Sequence, residues 1–165
     1  MTAIQTEGDI YAPSIRELLD TGCSLFEGGN PAAALIPLRD AFQRERNNAR
    51  IRSYYGLCLG LVERRFEESV ELCQSAAQQE FFNPDLYLNL ARLHLGFGFK
   101  VEGVRYLRRG LMIDPGNLAI LDMLQSLGDR RLPVLGFLPR KHPVNRWLGT
   151  LRYRVARSVG FRWAT

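Results

Sequence analysis

A chain of 165 residues with 46% apolar and 24% charged side chains has room for one sizeable hydrophobic core and not for a second full domain. Its net charge of +5 hides an asymmetry: residues 1–129 carry 13 Lys/Arg against 17 Asp/Glu, whereas residues 130–165 carry nine Lys/Arg and no acid. The basicity belongs to the tail, and the longest apolar stretch, Tyr54 to Val62, is far short of the roughly 20 residues that span a bilayer.

The first residues, MTAIQTEGDIYAP, carry acids and lack the apolar stretch of a signal peptide, so 1–13 is expected to be a flexible segment of a cytoplasmic protein. Ser14 and Glu17 form an S-x-x-E capping box and open a helix over 14–28. Asn30-Pro31 places an N-cap before a proline at the first helical position and opens a second helix, 31–46. Pro37 lies inside it, removes one backbone donor and is expected to kink or shift the helix. Apolar residues at i, i+3, i+4 and i+7 predict further helices at 48–62, 66–79, 84–97, 100–113 and 117–127. Short turns at Gly28-Gly29-Asn30, Glu63-Arg64-Arg65 and Gly96-Phe97-Gly98 join them in pairs. In the helix at 117–127, Leu118, Leu121, Leu124 and Leu127 are expected to face inward, with Asp122 and Gln125 outside.

Beyond Asp129 the pattern changes. Residues 129–143 hold three prolines and a glycine among apolar side chains and cannot form one helix. Over 143–159, Val144, Trp147, Leu148, Leu151, Val155 and Val159 share one helical arc, Arg146, Arg154 and Arg157 gather opposite, and Arg152 flanks the arc. This basic C-terminal extension reads as an amphipathic helix.

The pairs repeat. Segments 18–42, 52–76 and 87–111 align with a small residue at Gly22, Gly56 and Ala91, spaced by 34 and 35. The third unit carries Tyr87, Leu90, Ala91, Gly98, Gly103, Leu107, Gly110 and Pro115. The first carries Leu18, Gly22, Leu25, Gly29, Ala34, Leu38 and Ala41, and the second Gly56, Leu59, Phe66, Cys73 and Ala76. In these positions the chain resembles the tetratricopeptide repeat (TPR) family, with Arg46 where proline is usual and an extra residue in the second turn. The resemblance implies an all-α fold: an α-solenoid of three hairpins, about 15–48, 49–83 and 84–117, closed by a capping helix at 117–127.

It also implies a concave groove lined by the first helix of each unit. Position by position, that groove takes Arg16, Leu19, Cys23 and Phe26 from unit one, Arg50, Ser53, Leu57 and Gly60 from unit two, and Asp85, Leu88, Arg92 and Leu95 from unit three. The lysines and asparagines with which one TPR subclass grips acidic C-terminal tails are missing. An apolar or amphipathic peptide, its carboxylates meeting Arg16, Arg50 and Arg92, fits better.

Nothing in the sequence points to catalysis, a metal or a cofactor. The two histidines, His94 and His142, stand alone, and His94 sits among leucines. "GFGFKVEG" at 96–103 follows a helix and not a strand, so it is a hairpin turn and not a phosphate loop. Cys23, Cys58 and Cys73 lie in apolar periodic segments and read as buried, reduced thiols. The chain is expected to be a non-catalytic adaptor, scaffold or assembly factor with a protein or peptide partner. For the tail surface, Arg146, Trp147, Leu148, Leu151, Arg152, Arg154, Val155 and Arg157, three readings stand: packing on the solenoid or on a second copy, an anionic membrane surface, or, weakest, nucleic acid.

Overall fold

The computed structural model describes residues 12–128. The chain divides after Leu124; among the described residues, the first unit holds six helices and most of a seventh, and the second unit holds 125–128. The helices are α1 Ile15–Glu27, α2 Pro31–Arg44, α3 Ala49–Glu63, α4 Phe66–Gln79, α5 Pro84–Gly96, α6 Lys100–Ile113 and α7 Leu118–Ser126. Each predicted helix of the body is present, with ends within about two residues of the sequence reading.

Local chemistry sets those ends. Glu17 N–H donates to Ser14 Oγ at 3.2 Å while Ser14 N–H donates to Glu17 Oε2 at 2.7 Å, so two orphan donors are satisfied together. Asn30, Asn48, Asn83 and Asn117 each accept a backbone N–H at the starts of α2, α3, α5 and α7. The hairpin turns need a left-handed residue: Gly29 has φ 82° and Gly98 φ 84°. The middle hairpin places Arg64 there, at φ 60°, and its guanidinium stacks 4.1 Å from the Phe97 ring centroid. Pro37 does not end α2, which runs on to Arg44.

Helices α1 and α2, α3 and α4, and α5 and α6 form antiparallel hairpins, and α3 packs against both α1 and α5. No comparable packing joins α2 to α4 or α4 to α6. The first helices therefore form the inner layer of a curved stack, and the second helices splay apart on the outside. Central α3 is covered on nearly every side, which explains the apolar run SYYGLCLG; ten of its 15 residues are buried. One core cluster joins Leu38, Cys58 and Leu59, with Phe42 stacked on Tyr55 at 4.6 Å. A second joins Leu57, Cys73, Leu86, Leu90 and Leu93.

The capping helix keeps its expected phase only in its second half, where Leu124 and Leu127 are half-buried and Asp122 and Gln125 exposed. Leu118 is 73% exposed and Leu121 also faces outward, while Ile120 is fully buried. The reason lies on α6. Gly110 has no side chain, and Ile120 Cδ1 fills the space a Cβ would need, 2.5 Å away. Filling that hole rotates α7 so that Ile120, and not the leucine at 118, meets the core.

Candidate functional site

The inner layer brings the sequence-predicted groove residues together, but they do not all reach its surface. Arg16 is exposed and lies 3.8 Å from Asp20, one turn further along α1. Arg50 and Asp85 are exposed at the starts of α3 and α5. Leu19 and Cys23 are buried in the first core cluster, Ser53 and Leu57 are fully enclosed in α3, and Leu88 is buried in α5. Leu95 turns toward α6: a Cβ added at Gly103 would stand 2.7 Å from its Cγ. The physical reason is crowding within the inner layer. Positions that would face a shallow groove are covered by the helix next door when α1, α3 and α5 pack directly on one another.

What remains accessible centres on Phe26 and Arg92. The Phe26 ring meets Tyr54 edge-on, with centroids 6.0 Å apart. The Arg92 guanidinium lies 5.2 Å from the Phe26 centroid and donates to both carboxylate oxygens of Glu27, at 2.8 and 3.0 Å. Its side chain is only 17% exposed. Behind it, Asn89 Nδ2 donates to Ser53 Oγ at 3.1 Å, a fully buried polar pair. Arg92 also reaches Asn89 Oδ1 at 3.4 Å, so one chain of polar contacts runs from the end of α1 to the middle of α3. Glu27, Tyr54 and Asn89 were not among the sequence-predicted residues. For Asn89 a signal existed, a lone amide in the apolar run LYLNLARL. For Glu27, 65 residues from its partner, there was none.

Titration at this face is governed by burial. Desolvation pushes the Tyr54 hydroxyl up to about 12, with Cys23 and Glu27 adding to the shift. Desolvation also raises the Cys23 thiol, and it pushes Cys58 and Cys73 up to about 12. Thiols held in the neutral form are poor nucleophiles near neutral pH. His94 is buried against Phe66, Phe99 and Tyr106, with Nδ1 2.8 Å from the Leu90 carbonyl oxygen. Among the described residues, no three His, Cys, Asp or Glu side chains could hold a metal ion together, and no helix is long and apolar enough to cross a membrane.

The outer layer carries an open depression. Where α4 and α6 diverge, Gln74, Gln78, Phe81, Tyr87, Tyr106 and Arg109 line an open cleft of about 510 Å³. The tail residues Arg146 to Arg157, and the helix expected over 143–159, lie outside the described residues.

Three stacked helical hairpins with the first helices inside define an α-solenoid. Over 70% of this chain, the structure is similar to that of YrrB, a TPR protein with an unusual peptide-binding site, with TM-score 0.55 and 18% identity. The match covers 59% of that chain, so this chain spans less than two thirds of YrrB. The first TPR domain of human RPAP3 matches over 68% of this chain and 88% of its own, with TM-score 0.55 and 14% identity. The second TPR domain of human RPAP3, in complex with the HSP70 peptide SGPTIEEVD, matches over 68% and 93%, with TM-score 0.52 and 17% identity. No protein-family model matches the chain, and no curated protein matches it in sequence. The chain has the tetratricopeptide-repeat fold.

Proposed function

We propose that the chain is a non-catalytic interaction module whose inner face, formed by α1, α3 and α5, holds a peptide or protein partner. The observation that carries this reading is the arrangement around Phe26. A half-buried aromatic ring lies on the accessible inner surface beside Arg92 and Glu27, with the exposed Arg50 and Asp85 at the starts of α3 and α5. An apolar anchor surrounded by charges of both signs suits an amphipathic segment better than a run of carboxylates, because Glu27 already occupies the best-placed arginine. RPAP3 binding a peptide on the same fold supports the choice of occupant by analogy of fold alone.

The test is selection of displayed random peptides on the full chain. Enriched peptides should combine an aromatic or aliphatic anchor with flanking charges, and should lose binding on Arg50→Glu with Asp85→Lys. Both residues are exposed, so the fold is not at risk. No enrichment, or binding indifferent to that double change, overturns the reading.

A further inference from the structure

The outer layer carries an unmatched pair of charged rows. On α4, Glu67, Glu71, Gln74 and Gln78 follow at i, i+4, i+7 and i+11, so they share one helical face. On α6, Val101, Arg105, Arg108 and Met112 follow at the same intervals, each 34 residues further on. The two helices are second members of consecutive hairpins, so they run in the same direction, and Gln74 Nε2 donates to Tyr106 Oη at 3.2 Å across the cleft between them. Glu67, Glu71, Arg105 and Arg108 are all exposed, and none of them makes an ion pair among the described residues. Helix α2 differs. Its charges Asp40 and Arg44 pair with each other at 2.8 Å.

We infer that this outer face of α4 and α6 is a two-fold contact with a second copy of the same chain. A two-fold contact places the same patch on both partners, so a patch is self-complementary when an acidic row lies beside a basic one. A two-fold axis running along the surface, parallel to the helices and between them, sets α4 of each copy over α6 of the other. Helix direction is preserved by that rotation, so Glu71 of one copy meets Arg105 of the other at the same height. An axis across the helices would instead set each acidic row on its own copy, where like charges repel. Charge therefore selects the first arrangement.

The apolar groups agree with it. Phe82, just beyond the end of α4, and Met112, near the end of α6, are 74% and 84% exposed and stand at the same end of their helices. The rotation brings the Phe81–Phe82 pair of one copy beside Met112 of the other. Nucleic acid or an anionic bilayer would meet Glu67 and Glu71 as well as the arginines, and those carboxylates repel phosphate. A second copy presents Arg105 to Glu71 and Glu71 to Arg105.

Sedimentation equilibrium of the full chain tests this. At low salt the average mass should rise with concentration toward twice 18.8 kDa, and added salt should weaken association. Glu71→Arg and Arg105→Glu should each weaken dimerisation about tenfold, since each change strikes two symmetry-related contacts. The two changes together in one chain should restore it, because reversed rows are again complementary. Each variant should keep the thermal midpoint of the unaltered chain; Glu71→Gln and Arg105→Gln replace any that does not. A monomer at every concentration overturns the inference. So does a dimer that tolerates Arg105→Glu, or a doubly reversed chain that stays dissociated.

Discussion

The Arg92 guanidinium holds the Glu27 carboxylate through two hydrogen bonds, at 2.8 and 3.0 Å, and so ties α5 to the last residue of α1. The two helices are separated in sequence by an entire hairpin, and the pair bridges them directly. Bidentate geometry and the low exposure of Arg92 place it above an ordinary surface ion pair. A double-mutant cycle with Glu27→Gln and Arg92→Met, read by urea unfolding, should give a coupling energy of about 1 kcal/mol. Arg92→Met should cost more than Glu27→Gln, since Arg92 also packs on Phe26 and contacts Asn89. Strict additivity would show that the pair contributes nothing.

Asn89 lies fully buried behind that pair and donates to the Ser53 hydroxyl. Removing the amide strands the hydroxyl in a site no solvent reaches and opens a void. Asn89→Ala should therefore destabilise by about 2 to 3 kcal/mol in denaturant unfolding. Ser53→Ala in the Asn89→Ala background should then cost far less than Ser53→Ala alone. Equal costs in the two backgrounds would remove the claim of a shared polar pair.

The contact of α3 with α4 sets two small residues against each other. A Cβ at Gly60 would meet Leu93 Cδ1 and would stand 2.9 Å from Ser69 Oγ. Helix propensity favours alanine over glycine by about 1 kcal/mol, but overpacking costs about 1 to 3 kcal/mol, so Gly60→Ala should destabilise. Ser69 is itself buried, and its hydroxyl has no hydrogen-bond partner. Ser69→Ala should therefore leave stability unchanged or raise it by about 1 kcal/mol, and should soften the effect of Gly60→Ala. Thermal midpoints of the two single variants and the double variant check both signs. A loss of stability on Ser69→Ala would mean that the hydroxyl has a partner in solution.

The helices of the body were legible in the sequence because their signals are local. Ser14 with Glu17, Asn30 with Pro31 and Asn83 with Pro84 each announce a helix start within a few residues. The site was less legible because burial in the inner layer depends on how closely three hairpins pack. Ser53 and Leu57 stand at groove positions of the repeat, yet α1 and α5 close over them. Arg92 reads as a free cation until Glu27 is brought to it from 65 residues away.

The α7 phase was hidden for a related reason. LAILDMLQSL is apolar around most of its circumference, so periodicity alone does not choose a face. Gly110, on another helix, chooses it by leaving a space the size of the Ile120 side-chain tip. Ile120→Ala should accordingly cost about 2 to 5 kcal/mol, whereas Leu118→Ala should stay within about 0.5 kcal/mol of the starting stability. Similar losses from both changes, measured by denaturant unfolding, would contradict the observed rotation.

The buried thiols and Tyr54 make stability fall in alkali. Cys58 and Cys73 ionise near 9 when solvated and near 12 in the folded chain, while Tyr54 moves from 10 to about 12, burial being the first cause in all three. Well below pH 9 these groups are neutral whether the chain is folded or not, and they impose no pH dependence. Above it, the unfolded chain loses protons that the folded chain retains, so unfolding is favoured progressively from pH 9 toward pH 12. The denaturation midpoint should be flat from pH 7 to about 8.5 and then decline, and Cys58→Ala with Cys73→Ala should make the decline shallower. Thiol labelling at pH 8 should be slow in native buffer and fast in denaturant, because the reactive thiolate forms only after opening. Rapid native labelling of Cys73, which is fully buried, would place that thiol outside the core.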